Sequence, residues 1–176
     1  MTLDEMLHRD EGRAYKAYSD PITKGDPWTI GEGHTGPEVH EGLVWDDAQI
    51  DFAKQLDVNA AWQACTDHFS PWFGQLCEPR QAVLVAMAYQ MGIGRLQKFV
   101  DTLNAVESQH FAHAAESMRQ SNWAHQTPKR AIRMAYQMER GVQIGSREVI
   151  LRGDLVTFLR VGGGRLAPAI SCTIRI

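Results

Sequence analysis

Between Ala82 and Ala88 the chain reads Ala-Val-Leu-Val-Ala-Met-Ala, apolar on every side of a helix. A helix with no polar face belongs inside a core, so this run predicts a buried central helix. Glu78-Pro79 opens it, with proline near the first turn. The pattern around it is helical too. Asp46-Asp47-Ala48-Gln49 is a cap with Gln at the third helical position, and it starts a long helix expected to run to about Thr66. Ser108 is expected to cap a further helix carrying Phe111, Ala114, Ala115 and Met118 on one face, and Thr127-Pro128 opens a last one ending at Gly141. Tyr89, Phe99, Phe111 and Trp123 read as core aromatics. A length of 176 residues suits one domain, or two lobes sharing a core.

The N-terminal stretch is built differently. Thr2-Leu3-Asp4-Glu5 is a capping box, Leu3, Met6 and Leu7 form an apolar stripe at helical spacing, and Gly12 is suited to stop the helix. Glu11 therefore falls in the last turn, where the helix dipole disfavours an ionised carboxylate. Burial would act in the same direction and leave a protonated acid at neutral pH. Asp20 precedes Pro21, which biases it towards an extended or turn conformation. Lys24-Gly25-Asp26-Pro27 is a turn signal. Trp28-Thr29-Ile30 reads as a strand running into Gly31-Glu32-Gly33-His34, and glycines alternating along a strand mark close approach by backbone or ligand. Two carboxyl groups and a water-positioning hydroxyl are the parts needed to hydrolyse a glycosidic bond. Taken singly, a solvated glutamate and a turn-capping aspartate account for them better.

In combination, the order Glu-Gly, Tyr-x-Asp, Trp-Thr-Ile-Gly-x-Gly-His-Thr resembles the phage-type lysozymes, the endolysins of glycoside hydrolase family 24. Ala88-Tyr89-Gln90-Met91-Gly92 resembles that family's central helix and following turn. Trp123-Ala124-His125-Gln126-Thr127-Pro128-Lys129-Arg130-Ala131 resembles its Trp-x-x-Gln-Thr-Pro-x-Arg-Ala signature. The three motifs occur in family order, and the likeness covers residues 1–141. The resemblance implies a mainly helical α+β, lysozyme-like two-lobe fold. A small β-hairpin lobe (12–45) would join a helical lobe (46–141 plus helix 2–11) through the long connecting helix. It also implies site roles. Glu11 would be the general acid, Asp20 the second carboxylate and Thr29 a holder of the attacking water. Gln90 would contact the glycan, joined by Gly33 and by Trp28 as a sugar-stacking candidate. Arg130 would pair with Glu11, and His34 would close the small lobe through a polar contact. Eight residues separate Asp20 from Thr29, more than the family's usual spacing, and the Lys24–Pro27 turn reads as the insertion.

The resemblance implies hydrolysis of the β-1,4 bond between N-acetylmuramic acid and N-acetylglucosamine of peptidoglycan, and so host cell lysis. The expected mechanism is single displacement with inversion, with retention through an Asp20 glycosyl ester as the rival. A lytic transglycosylase or an inactive lysozyme-like wall-binding module are the alternatives. The expected partner is the glycan strand, with no nucleic acid, no stable membrane insertion and a monomeric chain. No cofactor is expected, and no metal, since the seven histidines lack paired ligand spacing. Cys65, Cys77 and Cys172 form no CxxC pair, and an odd number argues against a disulfide framework, as in a reducing cytoplasm. Asp4, Glu5, Arg9, Asp10 and Glu11 leave no room for the apolar core of a signal peptide. The chain is thus expected to be made in the host cytoplasm and to reach the periplasm through a separate holin, or to arrive within a virion.

Residues 142–176 run past the point where the family usually ends. Val149-Ile150-Leu151, Leu155-Val156-Thr157-Phe158-Leu159 and Ala169-Ile170-Ser171-Cys172-Thr173-Ile174 are β-prone, broken by Gly162-Gly163-Gly164. This tail is expected to pack on the domain as hairpin and strand. Its balance of +3 against −6 for the rest, within a total of −3, would also let it dock to an anionic envelope. Lys16, Arg13 and Arg130 could make the cleft locally positive within an otherwise acidic domain.

Overall fold

The computed structural model describes residues 2–19 and 27–143, and the backbone course of 149–152 and 155–158. Helix α1 (Leu3–Glu11) starts at the anticipated capping box, with Thr2 and Glu5 bonded reciprocally, and ends at Gly12, whose φ of 71° is one that glycine adopts freely. Strands β1 (Ala14–Ser19) and β2 (Trp28–Gly31) pair antiparallel, with Tyr18 opposite Thr29 and Ser19 opposite Trp28. They enclose a small core of Ala17, Ile30 and Val39, against which Trp28, Leu43 and Trp45 pack. Asp20 and the Lys24–Asp26 part of the expected turn lie outside the described residues.

Helix α2 (Asp47–His68) begins at the Asp46/Gln49 capping box. At about 1.5 Å per residue it spans some 33 Å. Near one end Ile50 backs onto Gly31 of the hairpin, and near the other Cys65 is buried in the helical core. It is the strut between the two parts. Helix α3 (Glu78–Met91) is central, and Ala82–Ala88 are all buried, as an apolar helix requires. Around it lie α4 (Ile93–Leu96), α5 (Val100–Glu107), α6 (Phe111–Arg119), α7 (Asn122–Gln126) and α8 (Pro128–Arg140). α3 touches α1, α2, α4 and α8, while α6 packs on both α5 and α8. The result is a mainly helical α+β fold with a small antiparallel sheet at one end.

One boundary differs from expectation. Ser108 does not cap α6 but closes α5, because its N–H still bonds back to the Asn104 carbonyl. Gln109 then turns at φ 59°, and His110 takes the N-cap position. Of the tail, β3 (Val149–Arg152) and β4 (Leu155–Phe158) form an antiparallel hairpin with Val149 opposite Phe158. The remaining β-prone stretch, with Cys172, lies outside the described residues. Cys65 and Cys77 are free thiols, and burial pushes the former up to about 12, which makes it inert.

Candidate active site

The last turn of α1 carries two adjacent carboxylates, and α8 grips both. Arg130 donates from Nη1 to Glu11 Oε1 at 2.8 Å and from Nη2 to the Asp10 carbonyl, while its Nε stands 3.4 Å from Asp10 Oδ2. Arg133, one helical turn further on, pairs with the Asp10 carboxylate. Positions i and i+3 share a helix face, so one side of α8 meets the carbonyl end of α1. Cations are favourable there.

Glu11 keeps 19% of its side chain exposed. Burial pushes its pKa above the usual glutamate value; the Arg130 charge and hydrogen bond pull it back, and Asp10 and Glu32 push it up again. The net rise favours a carboxyl that holds its proton, as a general acid must.

The hairpin supplies the facing wall. Tyr18 on β1 lies within the field of Glu11, so burial first and the Glu11 charge second raise its phenol pKa. Thr29, half-buried, sits opposite Tyr18 on the ladder. Gly33 has φ 92°, and a Cβ placed on it would stand 3.7 Å from Glu11 Oε2 and 3.8 Å from Tyr89 Cε1. Here the alternating glycines do mark a close approach, with the acid as the neighbour. Trp28 is partly buried against the small core.

Gln90 is held further along α3, its Oε1 accepting from the Trp123 indole at 2.9 Å. Both residues line a cavity of about 700 Å³ formed with Phe99, Thr102, Ser117 and Gln126. Glu11 and Arg130 do not line this pocket, so volume alone would have pointed away from the carboxyl chemistry. His34 sits where the hairpin meets α2: Nδ1 is 2.7 Å from Asp57 Oδ2 and Nε2 is 2.8 Å from Glu38 Oε1, with the ring 5.2 Å from that of Trp45. Burial lowers its pKa, but the two carboxylates outweigh that and leave it raised.

The structure thus brings Glu11, Arg130, Gly33 and Tyr18 together, sets Thr29 on the adjoining ladder and places Gln90 apart. Arg13 is not a free source of positive cleft charge: Asp51 and Asp47 pair with it. Sequence reasoning missed Asp10, Arg133, Glu32 and Lys54. A signal existed for one of them: helical spacing puts Lys54 one turn beyond buried Ile50, whereas Glu32 lies past the end of the strand, after the left-handed Gly31. Among the described residues no group of His, Cys, Asp and Glu could hold a metal ion, and no helix is long and apolar enough to cross a membrane.

A helical lobe joined by a strut helix to a small hairpin lobe, with an arginine-paired carboxyl at the end of the first helix, defines a lysozyme-like α+β protein. The family model described as phage lysozyme matches residues 8–135, and the chain belongs to that family. It is 26% identical over 164 residues to probable T4-type lysozyme 1 of Dictyostelium discoideum, covering 80% of this chain and 95% of that one. The figures for probable T4-type lysozyme 2 of the same organism are the same. The pre-baseplate central spike protein Gp5 of Enterobacteria phage T4 is 30% identical over 168 residues, spanning 76% of this chain but 27% of that protein.

Proposed function

We propose that the chain hydrolyses the β-1,4 bond between N-acetylmuramic acid and N-acetylglucosamine in peptidoglycan and acts as an endolysin. The observation that carries this reading is the Glu11 carboxyl, sheltered at the end of α1 against Arg130 with its pKa raised by burial. Glu11 gives its proton to the glycosidic oxygen as the bond from that oxygen to the anomeric carbon breaks. The carboxylate left behind is stabilised by the Arg130 guanidinium already bonded to it. Asp20 takes a proton from water held by Thr29, and the water oxygen bonds to the anomeric carbon from the opposite face, which inverts it. The parts of Asp20 and Thr29 rest on the family motif. The contacts of Gln90, Trp28 and Gly33 with the glycan are part of the same reading, Gln90 standing apart from Glu11 and held by Trp123, and His34 joins hairpin to strut.

Lysis of chloroform-permeabilised Gram-negative cells by wild type and Glu11→Gln in parallel tests the assignment. Clearing by wild type alone supports it, and equal clearing by both removes Glu11 as the acid. Proton NMR of the newly formed anomer decides inversion against retention, and an anhydro-sugar in the digest would indicate a transglycosylase.

Residues 1–141 form the catalytic unit in this reading and 142–176 an appendage. The chain acts as a monomer on periplasmic peptidoglycan after synthesis in the host cytoplasm, released by a separate holin. The likeness to a baseplate spike protein favours a second route, in which the same activity is carried in the virion. Mass spectrometry of purified particles separates the two, since a released endolysin is absent from them.

A further inference from the structure

Glu32 is 2% exposed, a carboxylate buried between two glycines. Three helices hold this one residue. Its Oε1 is 3.1 Å from His8 Nδ1 on α1, and its Oε2 is 2.8 Å from Lys54 Nζ on α2. The Tyr89 hydroxyl on α3 donates to its main-chain carbonyl at 2.7 Å. Arg13 Nε lies 3.8 Å from Oε1, and Lys54 is shared with Asp4 at 2.6 Å. The backbone at the neighbouring glycines lies against other groups. A Cβ on Gly31 would stand 3.2 Å from Ile50 Cγ2, and Gly33 faces Glu11 Oε2. A buried carboxylate is costly unless paired and hydrogen-bonded. An apolar side chain would fill this inward position without that cost, but could not tie α1, α2 and the hairpin by charge.

We propose that Glu32 is a positioning residue for Glu11, its clamp holding the Gly31–Gly33 strap against the acid. The proposal rests on the reading of Glu11 as the general acid. The clamp also carries a charge that Glu11 feels. The groups facing Glu11 are Asp10 from its own helix, Arg130 from α8, Tyr18 from β1, Tyr89 from α3 and Glu32 from the strap. Those facing Glu32 are His8, Arg13 and Lys54, with Asp4, Asp47 and Asp51 behind them. Glu32 and Asp10 favour the protonated form of Glu11, and Arg130 opposes them. Removing the Glu32 charge therefore lets Glu11 lose its proton at lower pH.

The test is a carbon-detected NMR titration of the Glu11 carboxyl, assigned with Glu11→Gln, in wild type, Glu32→Gln and Glu32→Asp. Glu32→Gln is expected to lower the Glu11 midpoint by about half a pH unit, whereas Glu32→Asp, which keeps the charge on a shorter arm, leaves it in place. On soluble glycan both variants are expected to lose about tenfold in kcat with KM held within about twofold, as for a misplaced acid. An unmoved midpoint in folded Glu32→Gln, or a raised KM with kcat unchanged, overturns the proposal. Tyr89→Phe keeps every charge and removes only the hydroxyl bonded to the strap, so it serves if Glu32→Gln does not fold. A severalfold lower kcat at unchanged Tm supports the clamp, and unchanged kcat overturns it. The titration needs no substrate, so an inactive wild type would refute the hydrolase reading and leave this result to stand or fall separately.

Discussion

At the scale of single residues, Glu11 carries opposing demands: burial holds the proton on, and Arg130 stands ready for the carboxylate. A glutamate whose folded pKa is raised contributes stability that is complete below its unfolded value, 4.5, and lost as pH rises through the folded one. Glu11→Gln removes that penalty. Its Tm should match wild type near pH 4 and exceed it at pH 7, by calorimetry, while activity falls by roughly 10²–10⁴-fold. A lower Tm at pH 7 would mean that the Arg130 pair outweighs burial. Gly33 makes a second case. Alanine at φ 92° costs about 1–2 kcal/mol in backbone strain and puts a methyl in ordinary contact with the acid. Gly33→Ala should lose kcat/KM by roughly tenfold or more at a temperature where it is fully folded. A loss seen only near its Tm would reduce Gly33 to a turn residue.

At the scale of elements, contacts between helix ends and the hairpin set the site. α8 reaches α1 through Arg130 and Arg133, and α2 reaches the hairpin through Asp57 and His34. His34 answers to pH in the same sense as Glu11, since both folded pKa values are raised, but through the opposite charge. Its contribution comes from the charged form, is complete below about 6.5, and is lost as pH rises through the raised value. Glu38, held low by His34, loses its share only as pH falls through its own lowered value. His34→Asn should therefore lower Tm at pH 5.5 and have little effect at pH 9. Partial solvent screening keeps the loss near 1 kcal/mol or less, about 2–4 °C for a chain of this size. An equal drop at both pH values would point to packing against Trp45 instead of charge.

At the scale of the whole molecule, the buried residues of both cores lie, among the described residues, between Met6 and Met138. α8 ends at Gly141 in a left-handed cap that closes the helical part. A chain ended after Gln143 should therefore fold cooperatively with a Tm within a few degrees of the full chain, and should retain hydrolysis of soluble glycan. Loss of cooperative unfolding would show that the tail completes the core. Much of this architecture is legible in the amino-acid order. Capping boxes at Thr2 and Asp46, the apolar Ala82–Ala88 run, and the stops at Gly12 and Gly141 each depend on neighbours within a few residues. Short-range steric and hydrogen-bond preferences determine these alone. The turn at Ser108–His110 and the short helices α4, α5 and α7 were not legible, because packing against α3, α6 and α8 sets where those segments begin and end. Of the charge partners only Arg130 for Glu11 was anticipated, and that from the family motif rather than from spacing. Glu11 and Arg130 lie 119 positions apart, His8 and Glu32 lie 24 apart, and no periodicity links either pair. The sequence by itself determined the main helices, the paired strands of the hairpin and which carboxyl ends the first helix. Only the tertiary structure decided that Arg130 and Arg133 also hold Asp10 and that Glu32 is buried among three helices. Those contacts exist only once distant helices have packed.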